Sequence, residues 1–129
     1  MLKTGLKGRQ EVTVNEKNTA LAMGSGTLQV FATPAMIALM EKTAWESVAD
    51  ALNEGEGTVG TKLDVTHLSA TPLGMTVHCE SELTAVEGRK LVFHVAAYDE
   101  AGLIGEGTHE RFIVKNEKFQ AKADGKKVQ

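Results

Sequence analysis

The feature that most restricts the fold is a single strong helix signal, followed by four segments in which apolar and polar residues alternate. Thr33 stands where an N-cap belongs, and Pro34 follows at the first helical position, where its missing N–H costs no hydrogen bond. We predict a helix from Pro34 to Leu52, which ends before a turn-rich sequence. The alternating segments predict strands at Thr58–Ala70, Met75–Val86, Lys90–Tyr98 and Leu103–Lys115.

A first strand is predicted near the start of the chain, and the resulting sheet has only one helix to cover it. Glu11–Glu16 alternates around two valines, and the turns between the later strands are short enough to join antiparallel neighbours. A curved antiparallel sheet of about five strands, wrapped around the long central helix, would bury both elements. We therefore predict an α+β fold in one domain over residues 1–129, with Lys122–Gln129 as a polar, frayed tail.

Composition and charge exclude several classes of partner. The 129 residues carry a net charge of −3, with a pI near 5.8, and show no basic footprint for nucleic acid. Met1–Arg9 has basic residues but no apolar run behind them, so we expect no signal peptide, no membrane partner and a cytoplasmic protein. Cys79 is the single cysteine, which excludes an internal disulfide, and it is expected to be buried. The four histidines lie on different predicted strands without a matching carboxylate pattern, so no metal site is predicted.

One carboxylate of the predicted helix lies away from its polar face. At roughly 100° per residue, Glu41 falls about 135° from the centre of the polar stripe and is grouped with apolar residues. A buried carboxylate is costly unless it is paired, hydrogen-bonded or protonated. Two interpretations stay open: Glu41 pairs with a basic residue across a subunit interface, or it serves as a nucleophile or general base. The polar stripe consists of Lys42, Glu46, Asp50 and Asn53.

One histidine is predicted to point toward the helix. His67 shares a strand face with Leu63 and Val65, whereas His78 and His94 alternate onto the opposite, outer face. An inward histidine is often only a satisfied core residue. Here Thr33, Glu41 and His67 could converge as hydroxyl, carboxylate and imidazole, which are the parts of an acyl-transfer site. The free N–H groups at the start of the helix could bind a developing oxyanion.

Several short motifs, in a fixed order along the chain, resemble those of the fluoroacetyl-CoA thioesterase-like family of hot-dog-fold acyl-CoA thioesterases. The resemblance extends from about Val30 to Ala121, and the ordered series is far more specific than any one motif. The motifs are Val30–Thr33, Leu39–Glu41, Gly60–Thr61, Val65–His67, Ala70–Pro72, Val86–Arg89 and Gly107–Arg111.

The resemblance implies a hot-dog homodimer that hydrolyses a short-chain acyl-CoA thioester at the subunit interface. It implies that Thr33, Glu41 and His67 are catalytic, with Glu41 attacking the thioester or activating water. It also implies that the backbone of Gly60 contributes to the substrate site and that Arg111 lies near the thioester. No cofactor is implied, because CoA is part of the substrate. From the residues alone, Arg111 could equally form a surface or interface ion pair with Glu110 or with a carboxylate of a partner chain.

One segment departs from the family pattern, and two other functions stay open. The fluoroacetate-specific member has a lid with aromatic side chains before the helix, whereas Asn18–Gln29 is shorter, has no aromatic residue and is predicted to be a loop or mobile cover. A general short-chain acyl-CoA is therefore expected rather than fluoroacetyl-CoA. The alternatives are a non-catalytic hot-dog protein that binds acyl-CoA or another small ligand, and a hydratase, which the missing Asp and His pairing disfavours.

Overall fold

The computed structural model describes residues 2–128, and the chain forms a five-stranded sheet around one long helix. Met1, and Gln129 at the end of the predicted tail, lie outside the described residues. The strands are β1 (Lys7–Thr13), β2 (Glu56–His67), β3 (Thr76–Glu87), β4 (Lys90–Asp99) and β5 (Gly102–Lys115), and the helices are α1 (Ala20–Met23), α2 (Thr33–Val48) and α3 (Asn116–Asp124). The predicted α+β class and the curved five-stranded antiparallel sheet of a hot-dog fold are confirmed.

The strands do not lie in the order in which they follow one another. The sheet order is β1-β3-β4-β5-β2, and every neighbouring pair is antiparallel. The prediction that the turn after β2 joins neighbouring strands was therefore wrong. The connection over residues 68–75 crosses from one side of the sheet to the other, since β2 pairs with β5 and β3 pairs with β1. This crossing lets the sheet close around α2 from both sides and leaves β1 and β2 as its edges.

The core lies between α2 and the concave face of the sheet. The buried side chains of α2 recur at the spacing of one helical face, and they pack against the inward residues of β3, β4 and β5. Cys79 is fully buried there, as predicted. Gly8 lets β1 approach the helix, because a β-carbon at this position would lie 2.6 Å from the carbonyl oxygen of Thr43. The buried residues of α2 are Met36, Leu39, Met40, Thr43, Ala44 and Val48.

The helix α2 begins one residue earlier than predicted and uses no side-chain cap. Ala32 is its N-cap, Thr33 is already helical, and no side-chain hydrogen bond closes this terminus. The predicted cap was therefore wrong, and the Thr33 hydroxyl is free to bond elsewhere. At the other end the α-helix stops at Val48, and a short 3-10 turn continues to Ala51.

The segment predicted as a loop or mobile cover is folded. It contains α1, whose true N-cap is Thr19, and backbone hydrogen bonds from Ala20 and Leu21 to Val30 and Leu28 tie its two arms together. The first strand begins and ends earlier than predicted, at Lys7 and Thr13. The predicted frayed tail is helical, as α3 through Asp124 and as a 3-10 helix over Gly125–Val128. No helix among the described residues is both long and apolar enough to span a membrane. The cytoplasmic location predicted from the sequence stays a prediction.

Candidate active site

The start of α2 and the end of β2 meet at a hydrogen bond between two predicted site residues. The hydroxyl oxygen of Thr33 lies 2.7 Å from Nδ1 of His67. Thr33 is available because Pro34 and the extended backbone of Ala32 begin the helix without a side-chain cap. His67 is directed there by the alternation of β2, which places it on the same face as Leu63 and Val65. The predicted inward orientation of His67 agrees with this geometry.

The ring of His67 keeps one nitrogen without a partner. Its Nε2 is buried and has no hydrogen-bond partner among the described residues. Burial lowers the pKa of His67 from its ordinary value of 6.5, and the main chain of Ser69 partly opposes this shift. The imidazole is therefore neutral at pH 7, when it can both accept and donate a proton.

Glu41, two turns into α2, contacts Arg111 rather than His67 or Thr33, with which the acyl-transfer arrangement grouped it. Its Oε2 lies 3.4 Å from Nη1 of Arg111, and its side chain is 38% exposed. Within one chain the carboxylate is therefore not fully covered, because this face of α2 is only partly buried: Ile37 is half-buried and Trp45 is 44% exposed. Arg111 is buried and pairs with Glu41 of its own chain rather than with Glu110, whose carboxylate lies 3.6 Å from the ammonium of Lys90.

The guanidinium of Arg111 is held on several sides. Its Nε donates to the hydroxyl of Thr58 at 2.8 Å, and Nη2 donates to the carbonyl of the same residue at 2.9 Å. Nη1 lies 3.1 Å from Nε2 of His109. Burial lowers the pKa of Arg111 and Glu41 opposes that shift, so the side chain stays cationic at any pH of interest.

Gly60 gives the carboxylate of Glu41 the space that it occupies. A β-carbon at Gly60 would lie 2.5 Å from Oε2 of Glu41 and 3.3 Å from Nη1 of Arg111. The register of β2 and β5 explains the contact, since Gly60 pairs directly with Arg111 and the ladder is bulged between Gly60 and Lys62. The side chains of Glu41 and Arg111 therefore approach the backbone of Gly60 closely. Because Gly60 is exposed, a ligand can also reach it.

The sequence analysis missed two residues of this site, Thr58 and His109. His109 is fully buried, its Nδ1 lies 2.9 Å from the carbonyl oxygen of Lys62, and it stacks against Phe93. Strand alternation could have identified His109, because it is two residues from Arg111 on β5 and so shares the inner face of that strand. Thr108 and Glu110 alternate with them onto the outer face.

The five predicted residues therefore form two groups within one chain. One group is Thr33 with His67, and the other is Glu41 with Gly60 and Arg111, to which the structure adds His109 and Thr58. Among the described residues no hydrogen bond joins the two groups. They lie at different turns of α2, which separates them by the length of the helix from residue 33 to residue 41.

A cavity of about 260 Å³ opens beside Thr33 and His67. Part of its wall comes from the folded cover segment Asn18–Gln29, through Ala20 and Ser25, and part from Val30 and Phe31, which follow that segment. The rest comes from the residues that follow β2. The cover segment contributes small or aliphatic side chains to this wall and no aromatic one. Within residues 2–128, no group of three or more histidine, cysteine or acidic side chains could hold a metal ion.

Comparison with known proteins supports one family. The family model of the fluoroacetyl-CoA-specific thioesterase (FlK) matches residues 14–117. A fluoroacetyl-CoA thioesterase of Streptantibioticus cattleyicolor is 49% identical over 94 residues, which cover 73% of this chain and 68% of that protein.

Solved structures agree with the match in sequence. The structure of the fluoroacetyl-CoA thioesterase FlK superposes with a TM-score of 0.92 at 38% identity and covers 98% of each chain. A hot-dog-like protein from Thermanaerovibrio acidaminovorans has a TM-score of 0.88 at 25% identity, with 97% of this chain and 93% of that chain covered. The chain therefore belongs to the fluoroacetyl-CoA-specific thioesterase family of hot-dog-fold proteins.

Proposed function

We propose that this protein hydrolyses a short-chain acyl-CoA thioester to the free acid and CoA, with Thr33, Glu41 and His67 as its catalytic residues. The observation that carries the proposal is the 2.7 Å contact between the Thr33 hydroxyl and the His67 ring, beside a cavity and in a chain of this family. A related FlK variant, 37% identical, has been solved in complex with acetyl-CoA, which supports an acyl-CoA substrate here.

The reaction needs a base and a proton donor, and the two groups of the site supply them. Water adds its oxygen to the carbonyl carbon while Glu41 takes a proton from it, and the bond from carbon to sulfur then breaks. His67 accepts a proton from solvent and passes it to the departing CoA thiolate, so the ring ends neutral, and Glu41 returns the proton of the attacking water to solvent. Thr33 fixes the orientation of the ring. Arg111 and the backbone of Gly60 stabilise negative charge at the thioester.

A second route uses the same residues. An oxygen of Glu41 attacks the carbonyl carbon, CoA leaves as the thiol, and water then hydrolyses the mixed anhydride and restores the carboxylate. The two routes differ in the source of one oxygen atom. In ¹⁸O-labelled water, a single turnover by excess enzyme puts label into the acid by the first route. By the second route, when water attacks the Glu41 carbonyl of the anhydride, the bridging oxygen leaves with the unlabelled acid. The label then stays in the Glu41 carboxylate, where mass spectrometry of the protein detects it.

We further propose that a second copy of the chain completes the site, as the homodimer of the family would. Within residues 2–128 no strand pairs with the outer side of the edge strand β2, and the adjoining face of α2 is partly uncovered at Ile37 and Trp45. The buried Nε2 of His67 also lacks a partner among the described residues. A partner chain or the substrate would supply what these three features lack.

The oligomeric state has a direct test in light scattering. Wild-type protein is expected to have the mass of a dimer, and Trp45→Asp is expected to shift it toward the monomer. Leu73→Asp is the matched control, because Leu73 is also exposed, at 40%, but lies outside α2 and β2. A monomeric wild type would contradict the proposal.

The acyl group is proposed to be short and not specifically fluorinated. The cavity beside Thr33 is small, and the cover segment has no aromatic side chain. Purified protein should be assayed with a panel of acyl-CoAs, including fluoroacetyl-CoA and acetyl-CoA, and a thiol reagent. Glu41→Ala and His67→Ala are expected to lose activity. Binding of CoA esters by calorimetry without release of thiol would instead indicate a non-catalytic binding protein.

A further inference from the structure

We propose that His109 is a positioning residue, which holds the guanidinium of Arg111 in place through the lone pair of a neutral imidazole ring. The proposal rests on the proposed thioesterase function and adds a residue to it. Its starting point is that His109 is fully buried and touches both the backbone of β2 and the side chain of Arg111.

The hydrogen bonds of His109 fix its tautomer. The carbonyl oxygen of Lys62 can only accept, so Nδ1, at 2.9 Å, must carry the ring proton. In a neutral ring Nε2 is then an acceptor, and it faces the N–H donor Nη1 of Arg111 at 3.1 Å. Both contacts are satisfied only by the neutral ring with its proton on Nδ1.

The surroundings of the ring keep it neutral. An imidazolium would carry its second N–H toward the Arg111 cation, and burial together with Arg111 lowers the pKa of His109. Lys62 contributes a carbonyl from β2, Phe93 stacks from β4 with ring centroids 6.2 Å apart, and Glu41 faces the same guanidinium from α2. Glu41 and Glu110 oppose the downward shift, but burial is the largest cause.

His109 is a neutral partner of Arg111 and so does not compensate the positive charge of the guanidinium. The other fixed partners of the guanidinium are the hydroxyl and carbonyl of Thr58, which are neutral, so Glu41 is its only charged partner among the described residues. The contact of Nη1 with His109 is shorter than its contact with Glu41, at 3.1 Å against 3.4 Å. Together with the two contacts to Thr58, the histidine therefore holds Nη1 in place, and the cation stays available to Glu41 and to charge that develops on a thioester.

Two conservative variants separate this role from support of the backbone. The amide of asparagine reaches as far as Nδ1 and can keep the bond to Lys62, whereas the amide of glutamine reaches as far as Nε2 and can accept from Arg111. We expect His109→Gln to stay within about tenfold of wild type in kcat/KM, and His109→Asn to lose about tenfold to a hundredfold more. The reverse order, or equal activity of both variants and wild type, would overturn the proposal.

His94→Asn is the matched control, because His94 lies on neighbouring β4 but is exposed on the outer face, 3.5 Å from Glu106. It should leave kcat/KM unchanged. A measurement on the wild type needs neither turnover nor a folded variant: ¹⁵N NMR of the imidazole at neutral pH should show a protonated Nδ1 and an unprotonated Nε2 for His109. A proton on Nε2 would overturn the proposal. If no acyl-CoA is hydrolysed while the NMR tautomer is as expected, the thioesterase function fails and the positioning of Arg111 stands.

Discussion

The carboxylate of Glu41 lies against the backbone of Gly60, so closely that a β-carbon on the glycine would stand 2.5 Å from Oε2. Gly60→Ala must therefore move the end of the Glu41 side chain, which is flexible and partly exposed. We expect a fall of about tenfold or more in kcat/KM, with a melting temperature close to wild type, since no backbone atom is displaced. Gly125→Ala, at a glycine with open space around it, is the control and should change neither value.

Substitution of Thr33 can distinguish a catalytic role of its hydroxyl from a role in capping α2. The hydroxyl makes no cap hydrogen bond, so Thr33→Val should lower the free energy of unfolding only by the bond to His67, about 0.5–1.5 kcal/mol. The same substitution removes the contact with His67 and should lower kcat/KM about tenfold or more. Thr33→Ser should retain activity. A large loss of stability in Thr33→Val, measured by urea unfolding, would contradict this assignment.

Acid pH should destabilise the protein through its two inner histidines. Burial lowers the pKa of both His67 and His109 below the ordinary 6.5, so the unfolded chain binds protons first as the pH falls. Their contribution to the free energy of unfolding is fully present above pH 6.5. It declines as the pH falls from 6.5 through the lowered pKa values and is lost below them. Urea unfolding between about pH 7.5 and about pH 5.5 should show a smaller decline in His109→Gln than in wild type. An equal decline in both proteins would count against the shift at His109.

Close packing between β1 and α2 should make Gly8 intolerant of any side chain. A β-carbon there would lie 2.6 Å from the backbone oxygen of Thr43 and 2.8 Å from Cβ of Ser47. Because backbone cannot move aside as a side chain does, Gly8→Ala should lower the free energy of unfolding by about 1–3 kcal/mol. Its kcat/KM at low temperature should stay near wild type, since Gly8 has no contact with the site residues. Thermal unfolding and activity are measured on the same preparation.

The sequence predicted the elements of the fold better than their arrangement. Alternation located β2 to β5 within two or three residues, because each strand has one face on the core and one on the surface. It could not show that β2 pairs with β5, since a short turn such as 71–74 allows either a hairpin or a crossing. The Thr-Pro signal placed the helix correctly but misjudged the cap, because His67 competes for the same hydroxyl.

The site was predictable in its members and less so in its contacts. Helical and strand periodicity point Glu41 and His67 inward, and the structure agrees on the direction for His67. Neither periodicity relates one element to another, so the pairing of Glu41 with Arg111 depends on the register of β2 against β5. His109 was missed because a buried histidine reads as core until its partner is known.

The alternation of β5 has a consequence for how this chemistry can be inherited or lost. His109 and Arg111 reach the inner face only because their positions share one parity, while Thr108 and Glu110 occupy the other. Deleting a single residue upstream within the strand would exchange the two sets, and so expose the cation and bury an acid. A shift of two residues would preserve the faces but present different side chains to Glu41. In β5, the register of the strand matters as much for activity as the identity of any one residue.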